Sequence, residues 1–262
     1  MSVETAVIKD SDKKLSEKIE AMRAGGKIMA QIFDELREYV EVGMTGKEID
    51  AWVAKKIVEL GAGIAYYEPE VNFPGAICIS VNNELIHGTP KNVVLEEGDK
   101  VSFDLVIKYR GYYTDAAFTM VLGEPTAMQK RLLKYTEMAL YKGIEEVRPG
   151  ARLGDVGYAV QKCLEAGKLG VIRNYVGHGI GVEMHMPPEV PNFGRRGSGQ
   201  MLRVGDTICI EPMSSLGKPD TVVVEGEDDG WTVCLKDGSI GAHFEHTILV
   251  TEDGYEILTQ AG

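Results

Sequence analysis

Gly98-Asp99-Lys100-Val101-Ser102-Phe103-Asp104 and Gly205-Asp206-Thr207-Ile208-Cys209-Ile210-Glu211 read as one turn-to-strand unit written twice, 107 residues apart. Each opens on a Gly-Asp turn, runs through apolar residues at strand spacing, and closes on a carboxylate. Gly43 and Gly150, which end helical patterns, stand at the same offset. Upstream of the first copy, Ile19, Met22, Met29, Ile32, Phe33, Leu36 and Val40 recur on one face and predict a helix over residues 16 to 42. Thr45-Gly46-Lys47-Glu48 has the form of a capping box, and Ile49, Trp52, Val53, Ile57 and Leu60 carry a second helix beyond it. Short β-rich runs follow at 76–81, 84–86, 101–107 and 112–121. The order then repeats: Thr126 to Gln129 caps a helix, Leu153, Val156, Val160, Cys163 and Leu164 mark another, and strands return. The expected class is α+β, a pseudo-twofold pair of helix-helix-strand halves, roughly 11–124 and 125–262, with the site where they meet. Residues 1 to 10 lack an apolar period and are expected to form a mobile arm before a single domain over 11–262.

Asp104 falls mid-strand, where Val101, Phe103, Leu105 and Ile107 want burial. If the turn lies at Tyr109-Arg110, Asp104 and Asp115 face each other directly across the hairpin, and two anions so placed repel by about 1 to 4 kcal/mol. The alternatives are that one Asp is protonated, or that the turn is shifted and leaves a diagonal pair in solvent. Glu211 follows Ile208 and Ile210, and Glu245 follows Ala242 and Phe244, so both repeat the oddity. No Lys or Arg neighbours any of the four in sequence. Two divalent cations would offset four such charges, and one imidazole among oxygen donors fits Co, Mn, Fe or Zn.

Five histidines are present. His178 lies in Gly177-His178-Gly179-Ile180-Gly181, whose glycines permit close approach to a metal. A phosphate loop would have to open a helix, and Pro187, Pro188 and Pro191 follow instead. His87 and His185 stand at strand ends where they could donate to a substrate carbonyl or oxyanion. His243 and His246, flanking Glu245, are read as structural.

Composition narrows the function. Asp and Glu outnumber Lys and Arg by 40 to 28, giving a formal charge of −12 that opposes nucleic-acid binding. No apolar run spans a bilayer and no signal peptide is visible, so a cytoplasmic location without membrane association is expected. Cys78, Cys163, Cys209 and Cys234 lie far apart and read as reduced thiols.

Asn83-Glu84-Leu85-Ile86-His87-Gly88, Asp104 with Asp115, Gly177-His178-Gly179-Ile180-Gly181, Ile210-Glu211-Pro212-Met213 and Phe244-Glu245-His246-Thr247, in this order, resemble the type I methionine aminopeptidases, from about Glu17 to Leu258. The resemblance implies the pita-bread fold around a central curved antiparallel sheet. It implies that Asp115 and Glu245 bridge two divalent cations (Co, Mn, Fe or Zn), that Asp104 completes one shell, and that His178 and Glu211 complete the other. Glu211 would also accept a proton from the attacking water, and His87 and His185 would hold the substrate. A methionine pocket would be lined by Tyr67, Phe73, Cys78, Met184 and Trp231. The implied reaction is removal of the initiator methionine, ahead of a small second residue, by attack of a metal-bridging hydroxide. The implied partners are N-termini of nascent polypeptides, near the ribosome, for a monomeric enzyme. Two departures stand out: Val71 where members often have a His, and Met186-Pro187 in place of an acidic pair. A Cys/His-rich N-terminal extension is also missing. A Xaa-Pro aminopeptidase or prolidase of the same fold is the first rival, although such relatives usually carry an N-terminal domain. The second is a metal-free binding protein, which should have lost ligands.

Overall fold

The computed structural model describes residues 3–225 and 229–260. Helix α1 (Val3–Tyr39) begins earlier than its apolar period, so residues 3 to 10, set apart in sequence as an arm, continue its backbone; the first two residues lie outside the described ones. Met22, Met29, Ile32 and Leu36 are wholly buried, which is the face the period selected. Helix α2 (Gly46–Glu59) starts at the expected capping box, with Thr45 and Glu48 each bonding the other's backbone.

Strand β1 (Cys78–Val81) and β2 (Glu84–Ile86) lead into the long hairpin β3 (Lys100–Tyr109) and β4 (Tyr112–Val121). Helices α3 (Ala127–Ile144) and α4 (Leu153–Ala166) follow, α3 again behind a capping box, Thr126 with Gln129. Then come β5 (Gly177–Gly179), β6 (Met186–Val190), β7 (Thr207–Ile210), β8 (Met213–Ser215), β9 (Gly241–His243) and β10 (Glu245–Val250). Helix-helix-strand therefore occurs twice along the chain.

The main sheet has nine strands among the described residues, and its path runs β3-β4-β10-β7-β5-β6. Its ladders are antiparallel throughout. Helix α1 lies against β3 and β4, while α3 reaches β4, β7 and β10. The largest apolar cluster fills the space between helices and sheet, joining Ile32, Phe33 and Leu36 to Phe103, Leu105, Phe118, Leu140, Val160, Ile208 and Ile248. A second cluster, Tyr66, Phe73, Cys78, Val106 and Cys209 among it, lies around the carboxylates. The helices thus cover one face of the sheet, and the acidic residues alternate onto the other.

One register differs from expectation. Tyr109 pairs with Tyr112, so the turn residues are Arg110 and Gly111, at φ +49° and +86°. A two-residue loop with both φ values positive is the form whose twist suits a hairpin. Asp104 then stands opposite Ala117, and Asp115 opposite Val106. The two carboxylates are diagonal neighbours on one face, not a directly opposed pair. The pair is nonetheless buried, not in solvent.

Candidate metal centre

Five neighbouring strands each supply one of the five expected ligands. In sheet order they are Asp104 on β3, Asp115 on β4, Glu245 opening β10, Glu211 just past β7, and His178 within β5. The ladder sets their level: Ala117 pairs with both Asp104 and Glu245, and His246 pairs with Ile210, one step from Glu211. Backbone anchors fix the strands. Thr247 Oγ1 accepts from the Asp115 amide at 2.9 Å and donates to the Asp115 carbonyl at 2.8 Å. The Asn192 amide donates to the Glu211 carbonyl at 3.0 Å.

The four carboxylates are 8, 4, 9 and 2% exposed for Asp104, Asp115, Glu211 and Glu245. His178 Nε2 lies 3.7 Å from both Asp115 Oδ2 and Glu211 Oε1. Among the described residues, the ion pairs of these carboxylates are with imidazoles alone, with no Lys or Arg within 4.0 Å. Asp115 Oδ1 and Glu245 Oε1 are buried without a hydrogen-bond partner. Burial raises all four acids: Asp104 to about 7, against the lowering effect of its hydrogen bond from Tyr66, and Asp115, Glu211 and Glu245 well above the usual carboxylate range, where repulsion from neighbouring carboxylates adds to it. Burial also depresses His178 to about 4, leaving it neutral with a lone pair to give. Orphaned anionic oxygens and a neutral imidazole on one side form the donor set of a hard or borderline cation. The residues present fit divalent metal.

His87 and His185 flank the carboxylates along one cavity of about 790 Å³. His87 follows β2 at φ +57°, a strained backbone for a non-glycine residue, and burial holds it at about 4. The His185 ring meets His178 edge-on at 4.3 Å. Phe73, Cys78, Met184 and Trp231 line the same cavity, with Trp231 edge-on to Phe73 at 5.6 Å. Val71 lines it as well.

Tyr67 does not join them. It is 58% exposed, whereas its neighbour Tyr66 is 8% exposed and faces the cavity. The short 3-10 turn Ala65–Tyr67 decides which ring turns inward. The Tyr66 hydroxyl donates to Asp104 Oδ1 at 3.4 Å and receives the Cys78 thiol at 3.6 Å. His243, read from the sequence as structural, also reaches the site: at the end of β9, it comes within 4.0 Å of three of the carboxylates. Its period-two spacing from Glu245 was the available signal. His246 points elsewhere, to Thr259 at 2.9 Å and Tyr141 at 3.4 Å. All four cysteines are free, as expected.

Fold and site together define a metal-dependent hydrolase of the pita-bread class. The sequence profile of metallopeptidase family M24 matches residues 20–252, and the chain belongs to that family. Methionine aminopeptidase 1 of Bacillus subtilis is 40% identical over 239 residues, 91% of this chain and 95% of that protein. The Clostridium perfringens methionine aminopeptidase is 39% identical over 94% of this chain and 97% of its own length. Among solved structures, the Thermotoga maritima methionine aminopeptidase superposes with a TM-score of 0.89 at 43% identity, over 94% of this chain and 97% of its own. A prolidase from Pyrococcus furiosus shares the fold at a TM-score of 0.73 and 23% identity, with 64% of its length covered.

Proposed function

We infer that this chain is a methionyl aminopeptidase that removes the N-terminal methionine of nascent proteins and peptides, preferring a small second residue. The observation that carries the reading is the ring of four buried carboxylates with His178 at the floor of a cavity whose wall is aromatic and sulfur-bearing. Two divalent cations would be held by Asp104, Asp115, Glu245, Glu211 and His178, with Asp115 and Glu245, on neighbouring strands, the residues placed to be shared between them. Co, Mn, Fe and Zn all suit that set. When bound, such cations lower the pKa of water toward about 7 and polarise a peptide carbonyl.

The side chains supply the rest. The methionine thioether packs against Phe73, Cys78, Met184 and Trp231, with Tyr66 and Val71 completing the wall, and this burial sets the first peptide bond over the carboxylates. The free α-amine is drawn to the acidic floor, so a blocked N-terminus is excluded. The Glu211 carboxylate takes the proton of the attacking water. His87 and His185, neutral and on the rim, donate to the carbonyl oxygen as charge develops there.

No described helix is long and apolar enough to cross a membrane. We place the enzyme in the cytoplasm, acting near the ribosome as a monomer. A tripeptide panel tests the specificity: Met-Ala-Ser should be cleaved well above Met-Pro-Ser, Ala-Pro and N-acetylated Met-Ala-Ser. Preference for the Ala-Pro peptide would assign the site to the prolidase branch instead.

A further inference from the structure

The geometry points to His243 as a second nitrogen donor of the metal centre, binding the cation held by Glu211 and Glu245. His243 is 2% exposed and sits beneath the carboxylates. Its Nε2 lies 3.7 Å from Glu211 Oε2 and 3.7 Å from Glu245 Oε2, while Nδ1 lies 4.0 Å from Asp104 Oδ2. Neither ring nitrogen has a hydrogen-bond partner among the described residues. A neutral imidazole carries one N–H and one lone pair, so in either tautomer a lone pair is turned toward a carboxylate oxygen. Lone pair against anion is repulsive; a shared proton would need a separation of about 2.8 Å, and the 3.7 Å gaps instead suit a cation between the groups. Donors on a metal with bonds of about 2.1 Å lie roughly 3 to 4 Å apart, which the two Nε2 separations match. Ligand atoms of Glu211, His243 and Glu245 all fall within 4.8 Å of one another. In the assignment that uses every group, Nε2 binds the cation and Nδ1–H turns to Asp104, the usual partner arrangement of a metal-bound histidine.

The backbone holds the ring there. The His243 amide donates to Thr119 Oγ1 at 3.0 Å, and that hydroxyl donates back to the His243 carbonyl at 2.6 Å. Glu211 uses different oxygens for its two imidazoles, Oε1 toward His178 and Oε2 toward His243. The centre would therefore carry a nitrogen at each end.

This inference rests on the metal reading above, and X-ray absorption on the cobalt-loaded protein separates the two. Imidazole scattering in the wild-type protein should count two histidines per loaded chain. His243→Gln and His178→Gln should each count one, and His243→Gln should weaken Co²⁺ binding by about 10- to 100-fold in calorimetry. A wild-type count of one, unchanged in His243→Gln, overturns the proposal and leaves His243 as a hydrogen-bonding neighbour. The wild-type count decides the matter even if a variant fails to fold. Failure of the wild-type protein to bind cobalt at all would remove both this inference and the metal reading.

Discussion

Replacing Asp104 by Asn should stabilise the chelated protein at neutral pH while destroying the loaded enzyme. Without a cation, burial raises the Asp104 carboxyl from its ordinary 3.8 to about 7. The unfolded chain ionises near the lower value and the folded chain near the higher. Between them the folded state holds an extra proton, so stability falls as pH rises, by about 1.4 kcal/mol per unit. From pH 5 to pH 7 this single group costs the wild-type protein about 2 kcal/mol. Asparagine does not titrate, and the depressed histidines, which shift stability in the opposite sense, are common to both proteins and cancel. For a chain of this size the melting temperature of Asp104→Asn should gain roughly 4 to 8 °C on wild type between those pH values in excess chelator. With Mn²⁺ present the order should reverse, because the variant has lost one of the five anionic or imidazole ligands and holds the ion more weakly. Calorimetric melts at both pH values check this. A constant difference between variant and wild type would refute the reasoning, since the carboxylate would then be ionised and compensated by the protein alone.

Other outcomes follow from the same geometry. Asp115→Asn should lose turnover by more than about 100-fold, together with metal affinity, because it removes a bridging ligand; peptide hydrolysis and metal titration read both. Phe73→Ala should lower kcat/KM for Met-Ala-Ser by about 10- to 200-fold, chiefly through KM, with Co²⁺ affinity retained. Gly88→Ala places a Cβ 2.3 Å from the Ile79 carbonyl oxygen and 2.8 Å from Ser80 Cα, which must push the His87 segment aside. Its kcat should fall while cobalt binding persists, and wild-type kcat would argue against a role for His87 in the reaction.

The acidic residues were legible because they violate their surroundings. Asp104 interrupts a strand in which Val101, Phe103, Leu105 and Ile107 are all buried, and such a misfit has few physical explanations besides a counter-charge. Helix starts were legible too, since Thr45 with Glu48 and Thr126 with Gln129 satisfy their own backbone groups locally. Register was not, because it turned on whether Arg110 would accept a positive φ beside Gly111. Only the closed hairpin makes that conformation worth its strain. Tyr66 was missed by one position, since a 3-10 turn gives adjacent aromatic residues opposite surroundings and no period to read. His243 was overlooked because a lone imidazole in an apolar strand is ordinarily inert. What sets it apart is long-range: Asp104 and Glu211 arrive from strands far away in sequence.

The central claim, that the buried carboxylates exist to hold cations, is tested most directly by chelation followed by metal return. Purified protein should contain divalent metal, lose both metal and Met-Ala-Ser hydrolysis in excess chelator, and regain activity as Mn²⁺, Fe²⁺ or Co²⁺ is restored toward two per chain. Full hydrolysis by protein shown to be free of metal would contradict the account.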